Sequence, residues 1–332
     1  MYQERINLYR QLEQRRESKL ITYVTGDRPG LETQIHAEIF DLFVNHLDLI
    51  GVVPKITLLL YTRGGDTLTA WSLVNLLRQF CDELEIIIPS KCHSAGTLMA
   101  LGANKIVMTK QSTLGPIDPS VTTPLNPVIV VNNQNTLLPV SVEEIKGYIA
   151  VAKEEMGISD GVGLSRILSS LSDKVHPLVL GKVYRAKSQI QMLASRLLAH
   201  QIRDQGKIDH IVNFLCSDSG SHDYTISRRE AESELGLTIE KPDQSLYELI
   251  KLIYEDIKTE LKLGEPFDAN AALGPASQLD YQFIRGILES PDTFSYQHRT
   301  DGNLSRVQIG SPPQFGINNN VIFQGWKRHD IQ

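Results

Sequence analysis

One serine and one pair of glycines lie at predicted strand ends, positions that suit a site for acyl transfer. Ser94 lies in the segment CHSAGT, between a predicted strand and a predicted helix, and Gly64-Gly65 follows the preceding predicted strand. A serine at such a junction projects from the end of a sheet, and the amides at the helix start stabilise negative charge beside it. Glycines at a strand end let backbone N–H groups approach a developing oxyanion, because no Cβ blocks the way. The two segments together predict a serine nucleophile beside an oxyanion hole.

Each of the two signals also has a plain structural interpretation. Ser94-Ala95-Gly96 matches only the second half of the G-x-S-x-G nucleophile elbow, since Cys92 stands where that motif has its first glycine. Taken alone, Ser94 fits a helix cap and the glycine pair fits a tight turn. The glycine spacing matches neither a phosphate-binding loop nor a dinucleotide fingerprint. The predicted acyl transfer itself needs no cofactor and no metal, so we expect neither.

A strand and helix alternation positions these residues. Ile56–Tyr61 is a nearly continuous apolar run, and Leu84–Ile88 and Lys105–Met108 are two more apolar runs. Such runs are typical of strands buried on both faces of an α/β protein. The amphipathic segment Thr67–Phe80 separates the first two runs, and a helix after Ser94 precedes the third. This order predicts parallel pairing with right-handed crossovers.

The rest of the chain reads as mostly helical up to residue 261. Predicted helices cover 1–19, 35–49, 141–153, 179–202, 208–215, 227–236 and 245–261. A short strand is predicted at 21–24, a loop or small hairpin at 119–139, and a break at 157–163. A last helix is predicted at 278–288, followed by short strands and turns. We expect one domain over residues 1–240, and a helix with a Pro-, Gly- and Asn-rich extension over residues 241–332.

Composition excludes several functional classes. The chain of 332 residues has a formal net charge of −6, 41% hydrophobic and 22% charged residues, and no long Lys/Arg run. It therefore predicts neither a nucleic-acid nor a membrane partner. The three cysteines match no zinc spacing and suit a reducing compartment. The charged N-terminus is unlike a secretory signal and no run of about 18 apolar residues occurs, so we expect a cytoplasmic protein.

Five segments carry a resemblance to a known family. They are RGGD, HSAGT, LGPIDP, HPLVLG and SHDYTISRREAESELGL. Together they resemble the serine dehydrogenase proteinase family, a group of Clp-fold, signal-peptide-peptidase-like serine peptidases of the crotonase-like superfamily. The resemblance covers about residues 20 to 240. It implies an α/β fold built as a spiral of ββα units, with a helical C-terminal part, and the residues beyond it form an extra C-terminal arm.

The resemblance also implies roles for particular residues. Ser94 matches the nucleophile, and the amides of Gly65 and Ala95 match the oxyanion donors. In the Clp-type order of Ser, His and Asp, His176 precedes a long helix and matches the general base, and Asp223 precedes a helix and matches the residue that holds the base in its tautomer.

The chain departs from the Clp pattern at the base. The Clp-type histidine follows soon after the nucleophile helix and its strand, where this chain has residues 116–119 with the letters PIDP. His176 lies much further along. Two other bases therefore stay open: Lys146, as in the Ser-Lys dyad of signal-peptide-peptidase-type enzymes, and His222.

The resulting expectation is a serine endopeptidase that hydrolyses peptides or proteins through an acyl-enzyme. The resemblance implies self-assembly into a homo-oligomer, and an ATPase or regulatory partner is a further expectation. Two rivals remain from the sequence. One is a catalytically inactive scaffold or assembly subunit, favoured by the missing histidine. The other is an acyl-CoA hydratase or isomerase, whose oxyanion hole holds a thioester carbonyl.

Overall fold

The computed structural model describes residues 2–117, 120–131, 134–218, 221, 223–309 and 314–329. The chain divides into two compact units. The sheet unit comprises Met1–Leu114 and Ser227–Gln332, and the helical unit comprises Gly115–Ile226. The sheet unit is thus discontinuous in the sequence, since Ser227–Gln332 belongs with Met1–Leu114. The domain boundary expected at residue 240 stays a prediction.

The first part of the sheet unit alternates strands and helices. Its elements are α1 (Tyr2–Arg16), β1 (Lys19–Thr25), α2 (Ile39–Ile50), β2 (Val53–Tyr61), α3 (Thr67–Leu77), β3 (Cys81–Ile88), β4 (Lys91–Cys92), α4 (Ala95–Leu101), β5 (Lys105–Met108) and β6 (Thr113–Leu114). Strands β1, β2, β3 and β5 pair in parallel. The last six residues of β2 are all buried, as expected for a strand covered on both faces. The α/β class with a parallel core is confirmed.

The helical unit follows. Its elements are β7 (Ser120–Val121), β8 (Val128–Val131), β9 (Gln134–Leu137), β10 (Val140–Ser141), α5 (Val142–Ala150), a π-helical turn (Val151–Glu155), α6 (Gly161–Ser172), α7 (Pro177–Leu198), α8 (Gln205–Asn213) and a second π-helical turn (Phe214–Asp218). Strands β8 and β9 form the predicted small hairpin. Ser141 and Glu144 form the predicted capping box at the start of α5.

Helix α6 was not predicted, and the break predicted at 157–163 overlaps only its first three residues. The break ends at Asp160, whose Oδ1 accepts the Gly163 N–H at 2.8 Å and so caps α6. Gly161 and Gly163 lie in the first turn of α6, where glycine interrupts the helix less than it does in the interior. The two glycines therefore mark a helix start.

The chain then re-enters the sheet unit. The elements are β11 (Ile226–Ser227), α9 (Arg228–Ser233), β12 (Ile239–Glu240), α10 (Gln244–Leu261), α11 (Ala269–Leu273), β13 (Gln278–Glu289), β14 (Ser295–Ile309) and β15 (Gln314–His329). Among the described residues, the largest sheet has the order β12-β5-β3-β2-β1-β13-β14-β15. The C-terminal arm is thus a three-stranded antiparallel extension of the central sheet.

The helix predicted at 278–288 is wrong, since this segment is β13. Its letters QLDYQF alternate polar and apolar side chains, a period of two that belongs to a strand. The short strands predicted beyond it are instead β14 and β15, of 15 and 16 residues. Leu288 and Ile287 at the end of β13 are fully buried, which anchors the extension in the core.

A fully buried arginine ties α1 to the C-terminal extension. The Arg5 guanidinium donates to both carboxylate oxygens of Glu289 on β13, at 2.8 and 3.2 Å, and also bonds Asp256 and Glu260 of α10. The Tyr9 hydroxyl donates to the same Glu289 at 2.6 Å. Both Arg5 and Glu289 have no exposed side-chain surface. This network fixes the first and last parts of the sheet unit to each other.

Candidate active site

The loop that contains Gly64-Gly65 lies beside the loop that contains Ser94. Beyond the end of β2, the Thr62 N–H donates to the carbonyl of Lys91 at 3.0 Å, and the His93 N–H donates to the carbonyl of Thr62 at 3.0 Å. These two bonds form an isolated parallel bridge between Thr62, the residue after β2, and Cys92 of β4. They carry the two predicted motifs to the same edge of the sheet.

Gly64 and Ser94 lie so close together that a residue with a Cβ does not fit at position 64. A Cβ on Gly64 would lie 2.7 Å from the Ser94 Cβ, 3.1 Å from the Ser94 Oγ and 3.0 Å from the carbonyl oxygen of His93. Gly64 also has a φ of 112°, which L side chains rarely adopt. A glycine is therefore required here by both space and backbone conformation.

Ser94 has a strained backbone. Its φ is 52° and its ψ is −117°, outside the regions that non-glycine residues normally occupy. Such a conformation costs on the order of 1–3 kcal/mol and occurs mainly where function requires it. The nucleophile elbow of serine hydrolases is a strained strand-to-helix turn of this kind. Ser94 precedes α4 directly, but its side chain makes no capping bond to that helix. A capping role therefore does not explain Ser94.

The Gly65 amide lies in the glycine loop without a described acceptor. Gly65 forms a parallel bridge with Ile35, in which the Ile35 N–H donates to the Gly64 carbonyl and the Asp66 N–H donates to the Ile35 carbonyl, both at 2.8 Å. Successive backbone amides of an extended segment point to opposite sides, so the Gly65 N–H faces away from Ile35. Within the described ranges it donates to no other protein group.

The Ala95 amide is a second N–H group without a described acceptor. Ala95 is the first residue of α4, and the first N–H groups of a helix have no partner inside it. The next amide, of Gly96, donates to the His93 carbonyl at 2.9 Å, whereas no bond of the Ala95 N–H to another described residue is present. Ala95 is buried, so this donor lies in a site of reduced solvent access.

Two further residues shape the loops. The Thr62 Oγ1 accepts the Gly64 N–H at 2.9 Å and shares a hydrogen bond of 2.6 Å with the Thr25 Oγ1. Gly96 lets α4 pack on the same threonine, since a Cβ there would lie 2.3 Å from the Thr62 Cγ2. Thr62 was not predicted as part of the site. Its signal was a polar residue that directly follows the apolar run of β2.

A polar cluster around Asp27 supports the same edge and was not predicted either. The buried Asp27 accepts bonds through Oδ2 from the Tyr61 hydroxyl at 2.8 Å and from Lys91 Nζ at 2.5 Å. Burial, and then the nearby Asp27 charge, raise the pKa of the Tyr61 hydroxyl, which therefore stays a donor. Because Lys91 lies in β4, three residues before Ser94, the cluster fixes the strand that presents Ser94.

Cys92 does not compete with Ser94 as a nucleophile. Its side chain is fully buried, and burial raises the pKa of its thiol well above the usual range. The thiolate is the reactive form of cysteine, so a protonated, buried Cys92 is inert.

The Ser94 hydroxyl has no hydrogen-bond partner in the part of the chain that the structure describes. The neighbouring His93 points elsewhere, with its Nε2 2.9 Å from the Thr113 Oγ1. The structure therefore assembles the serine, the glycine loop and the two amides, but pairs no base with the serine.

His176 and Asp223 lie in the helical unit and are not joined there. His176 caps α7, its Nδ1 accepting the Leu178 N–H at 3.2 Å. A ring whose Nδ1 accepts this bond carries its proton on Nε2, so Nδ1 offers no N–H to a carboxylate. Asp223 is exposed, and its described hydrogen bond is a backbone one, to the Ser221 Oγ. No hydrogen bond or ion pair between the two occurs among the described residues.

One of the two alternative bases, Lys146, lies within the described part of the chain. Lys146 lies on α5 in the helical unit, and its Nζ is 3.8 Å from the Glu143 Oε1. His222 lies outside the described residues.

No cluster of three or more His, Cys, Asp or Glu side chains suited to a metal occurs within the described ranges. Nor does any described helix combine the length and hydropathy needed to cross a bilayer.

The sheet unit thus presents a strained serine, at a helix start, beside a glycine loop and two unused amides. This is the geometry that serine-dependent acyl transfer uses. In agreement, residues 1–141 match the family described as ClpP-like SDH-type serine proteinase. The predicted resemblance is confirmed over that range. It includes Ser94 and both glycines, whereas all three candidate bases lie beyond it.

Individual proteins also show similarity to this chain, at low sequence identity. Two uncharacterized proteins of Methanocaldococcus jannaschii are similar to this chain. One is 26% identical over 262 residues, covering 76% of this chain and 80% of the relative. The other is 26% identical over 211 residues, covering 62% and 60%.

Among solved structures, a 1510-N membrane-bound stomatin-specific protease has 15% identity and a TM-score of 0.39, covering 74% of this chain and 86% of that one. ClpP1 from Listeria monocytogenes has 12% identity and a TM-score of 0.36, covering 74% and 98%.

Proposed function

We propose that this protein is a serine peptidase that cleaves peptides or proteins through an acyl-enzyme on Ser94. The observation that carries the proposal is the strained backbone of Ser94, whose hydroxyl neither caps α4 nor bonds another described residue. A conformation that costs free energy, and that no capping bond explains, points to a role in chemistry. The match of residues 1–141 to a serine proteinase family supports the same assignment.

In the proposed reaction, the Ser94 Oγ attacks the scissile carbonyl carbon. The carbonyl oxygen becomes an oxyanion that accepts hydrogen bonds from the Gly65 and Ala95 amides. Both donors are backbone groups in fixed loops, so they need little reorganisation as the charge develops. Removing one such donor typically costs about 100- to 1,000-fold in rate. Collapse of the intermediate expels the amine, and water then hydrolyses the Ser94 ester.

The reaction needs a general base that takes the Ser94 proton and later protonates the leaving amine. We propose His176 for this role, oriented by Asp223, with Lys146 and His222 as the alternatives. In this role His176 must give up the capping bond to Leu178, because the same ring nitrogen cannot both accept that bond and carry the proton offered to Asp223.

The base can be tested apart from the helix cap. His176→Asn keeps a side chain that caps helices well but removes the imidazole. We expect His176→Asn to keep its thermal stability and to lose peptide hydrolysis as completely as Ser94→Ala. If His176→Asn hydrolyses a fluorogenic peptide at the wild-type rate, the base lies elsewhere. Lys146→Met and His222→Gln, measured in the same assay, then identify it.

An inactive scaffold is the second candidate, because no base is paired with the Ser94 hydroxyl among the described residues. Casein and fluorogenic peptide hydrolysis by the purified full chain separates the two candidates. A peptidase loses activity in Ser94→Ala and keeps it in Ser72→Ala, a matched change on the surface of α3. Equal rates in wild type and Ser94→Ala assign the scaffold role. We further propose that the peptidase is cytoplasmic and self-associates, and that an ATPase or other regulatory partner acts on it.

A further inference from the structure

The helical unit contains a cavity whose aliphatic wall has no role in the proposed reaction. It has a volume of about 320 Å³ and lies between α5, α6 and α7. Its wall is mainly aliphatic, formed by Ile145, Ile149, Leu168, Leu171, Leu180 and Val183. Small-molecule sites in proteins are apolar cavities of roughly this size with a few placed polar groups.

Helix α6 covers this cavity without being packed into a core. None of its described residues is buried, although it presents Leu164, Ile167, Leu168 and Leu171 at helical spacing. Leu168 keeps 56% of its surface exposed while also lining the cavity. An amphipathic helix gains most of its stability from burying its apolar face. An apolar ligand in the cavity gives α6 the contacts that the protein itself does not.

Two lysines from different helices meet at this cavity. Lys146 of α5 and Lys187 of α7 both line it. Burial lowers the pKa of the Lys187 amine, and the neighbouring Lys146 lowers it further. The acidic group paired with them in the described residues is Glu143, 3.8 Å from Lys146, and Lys187 has no ion pair of its own there. With both amines protonated, two ammonium groups and one carboxylate leave one positive charge, and an anion bound between the lysines favours this protonated form of Lys187.

We propose that this cavity binds a fatty carboxylate, whose single negative charge lies between Lys146 and Lys187 and whose alkyl chain lies among the aliphatic side chains of α5, α6 and α7. Charge selects a monoanion, because a dianion would exceed the one unbalanced positive charge. Volume sets the length of the chain. An apolar cavity of about 150 Å³ holds benzene, so about 320 Å³ holds roughly twelve carbon atoms. Dodecanoate is therefore the probe of matched size.

Titration calorimetry of the full chain with dodecanoate and with dodecanol, both below their aggregation concentrations, tests the proposal. We expect one dodecanoate per chain, and binding of dodecanol that is weaker by about tenfold or more, because the alcohol lacks the charge that the lysines recognise. Hexadecanoate should also bind more weakly, since its chain exceeds the cavity.

Two variants locate the site. Lys187→Met should weaken dodecanoate by about tenfold or more and leave dodecanol unchanged. The matched control, Lys182→Met, changes an exposed lysine of the same helix and should leave both ligands unchanged. Leu180→Trp, which fills the cavity, should abolish binding of both. Thermal melting of each variant confirms that it is folded.

Several results would overturn the proposal. They are no binding of dodecanoate by the wild-type chain, equal affinities for dodecanoate and dodecanol, or equal losses in Lys182→Met and Lys187→Met. The first two need no variant, so the test remains valid if Lys187→Met fails to fold. None of these outcomes depends on the role of Ser94.

Discussion

Gly64→Ala is the substitution whose effect the structure defines most sharply. The added Cβ would lie 2.7 Å from the Ser94 Cβ, whereas carbon atoms normally approach to about 3.5–4.0 Å. The chain must therefore open the contact by roughly 1 Å, which displaces the proposed nucleophile from the oxyanion donors. A displacement of about 1 Å can cost about 100-fold in rate. The φ of 112° adds a strain of about 1–3 kcal/mol.

Gly51→Ala is the matched control, because Gly51 also has a positive φ, of 73°, but a Cβ there meets no atom within 4 Å. Gly51→Ala should lose about 1–3 kcal/mol of unfolding free energy in urea, and Gly64→Ala should lose at least as much, because the contact with Ser94 adds to the same strain. Only Gly64→Ala should slow the reaction of Ser94 with a fluorophosphonate, by about 100-fold or more. The reasoning is refuted if Gly64→Ala reacts at the wild-type rate, or if both variants slow equally.

Two further predictions concern the stability of the sheet unit. Arg5→Met leaves Glu289 buried without its partner and should lower the unfolding free energy by about 3–5 kcal/mol. In contrast, Arg10→Met, which removes a 59% exposed side chain, should cost at most about 1 kcal/mol; equal losses in urea titrations would contradict the described network. Burial lowers the pKa of His46 to about 4, so between its ordinary value of 6.5 and pH 4 the unfolded chain binds a proton that the folded chain does not. Stability should therefore fall as pH drops through this range, by about 3 kcal/mol from His46, and His46→Gln should show a correspondingly smaller fall. An unchanged pH dependence in His46→Gln would contradict this assignment; His298, whose pKa burial also lowers to about 4, contributes to the slope that the variant retains.

The parallel core could be predicted because a strand that is buried on both faces consists almost entirely of apolar residues. The runs Ile56–Tyr61 and Leu84–Ile88 contain almost no polar residue, and both lie within the strands of the structure. The C-terminal strands could not be placed in the same way. Their alternating pattern indicates a strand, but pairing of β13 with β1 joins residues more than 250 positions apart, and no local signal specifies such a contact.

The candidate site was predictable in part for a similar reason. The positions of Gly64, Gly65 and Ser94 follow from strand ends, which parallel topology brings to one edge of the sheet. The φ of Ser94 could not be read from its letter, because non-glycine residues rarely adopt such a value. The support from Thr62, Asp27 and Lys91 also arises only from the folded arrangement.

The base is the part of the site that sequence could not resolve. A histidine before a proline at a helix start fits both a helix cap and a general base. The structure shows the capping contact of His176 Nδ1 with Leu178, a local bond between residues two apart. A catalytic contact depends instead on tertiary geometry that residue spacing does not define.

The most direct test is to treat the purified chain with a fluorophosphonate and to map the modified peptide by mass spectrometry. The proposed function predicts a single adduct on Ser94 and none in Ser94→Ala. An unmodified wild-type chain, or an adduct that persists in Ser94→Ala, would contradict it.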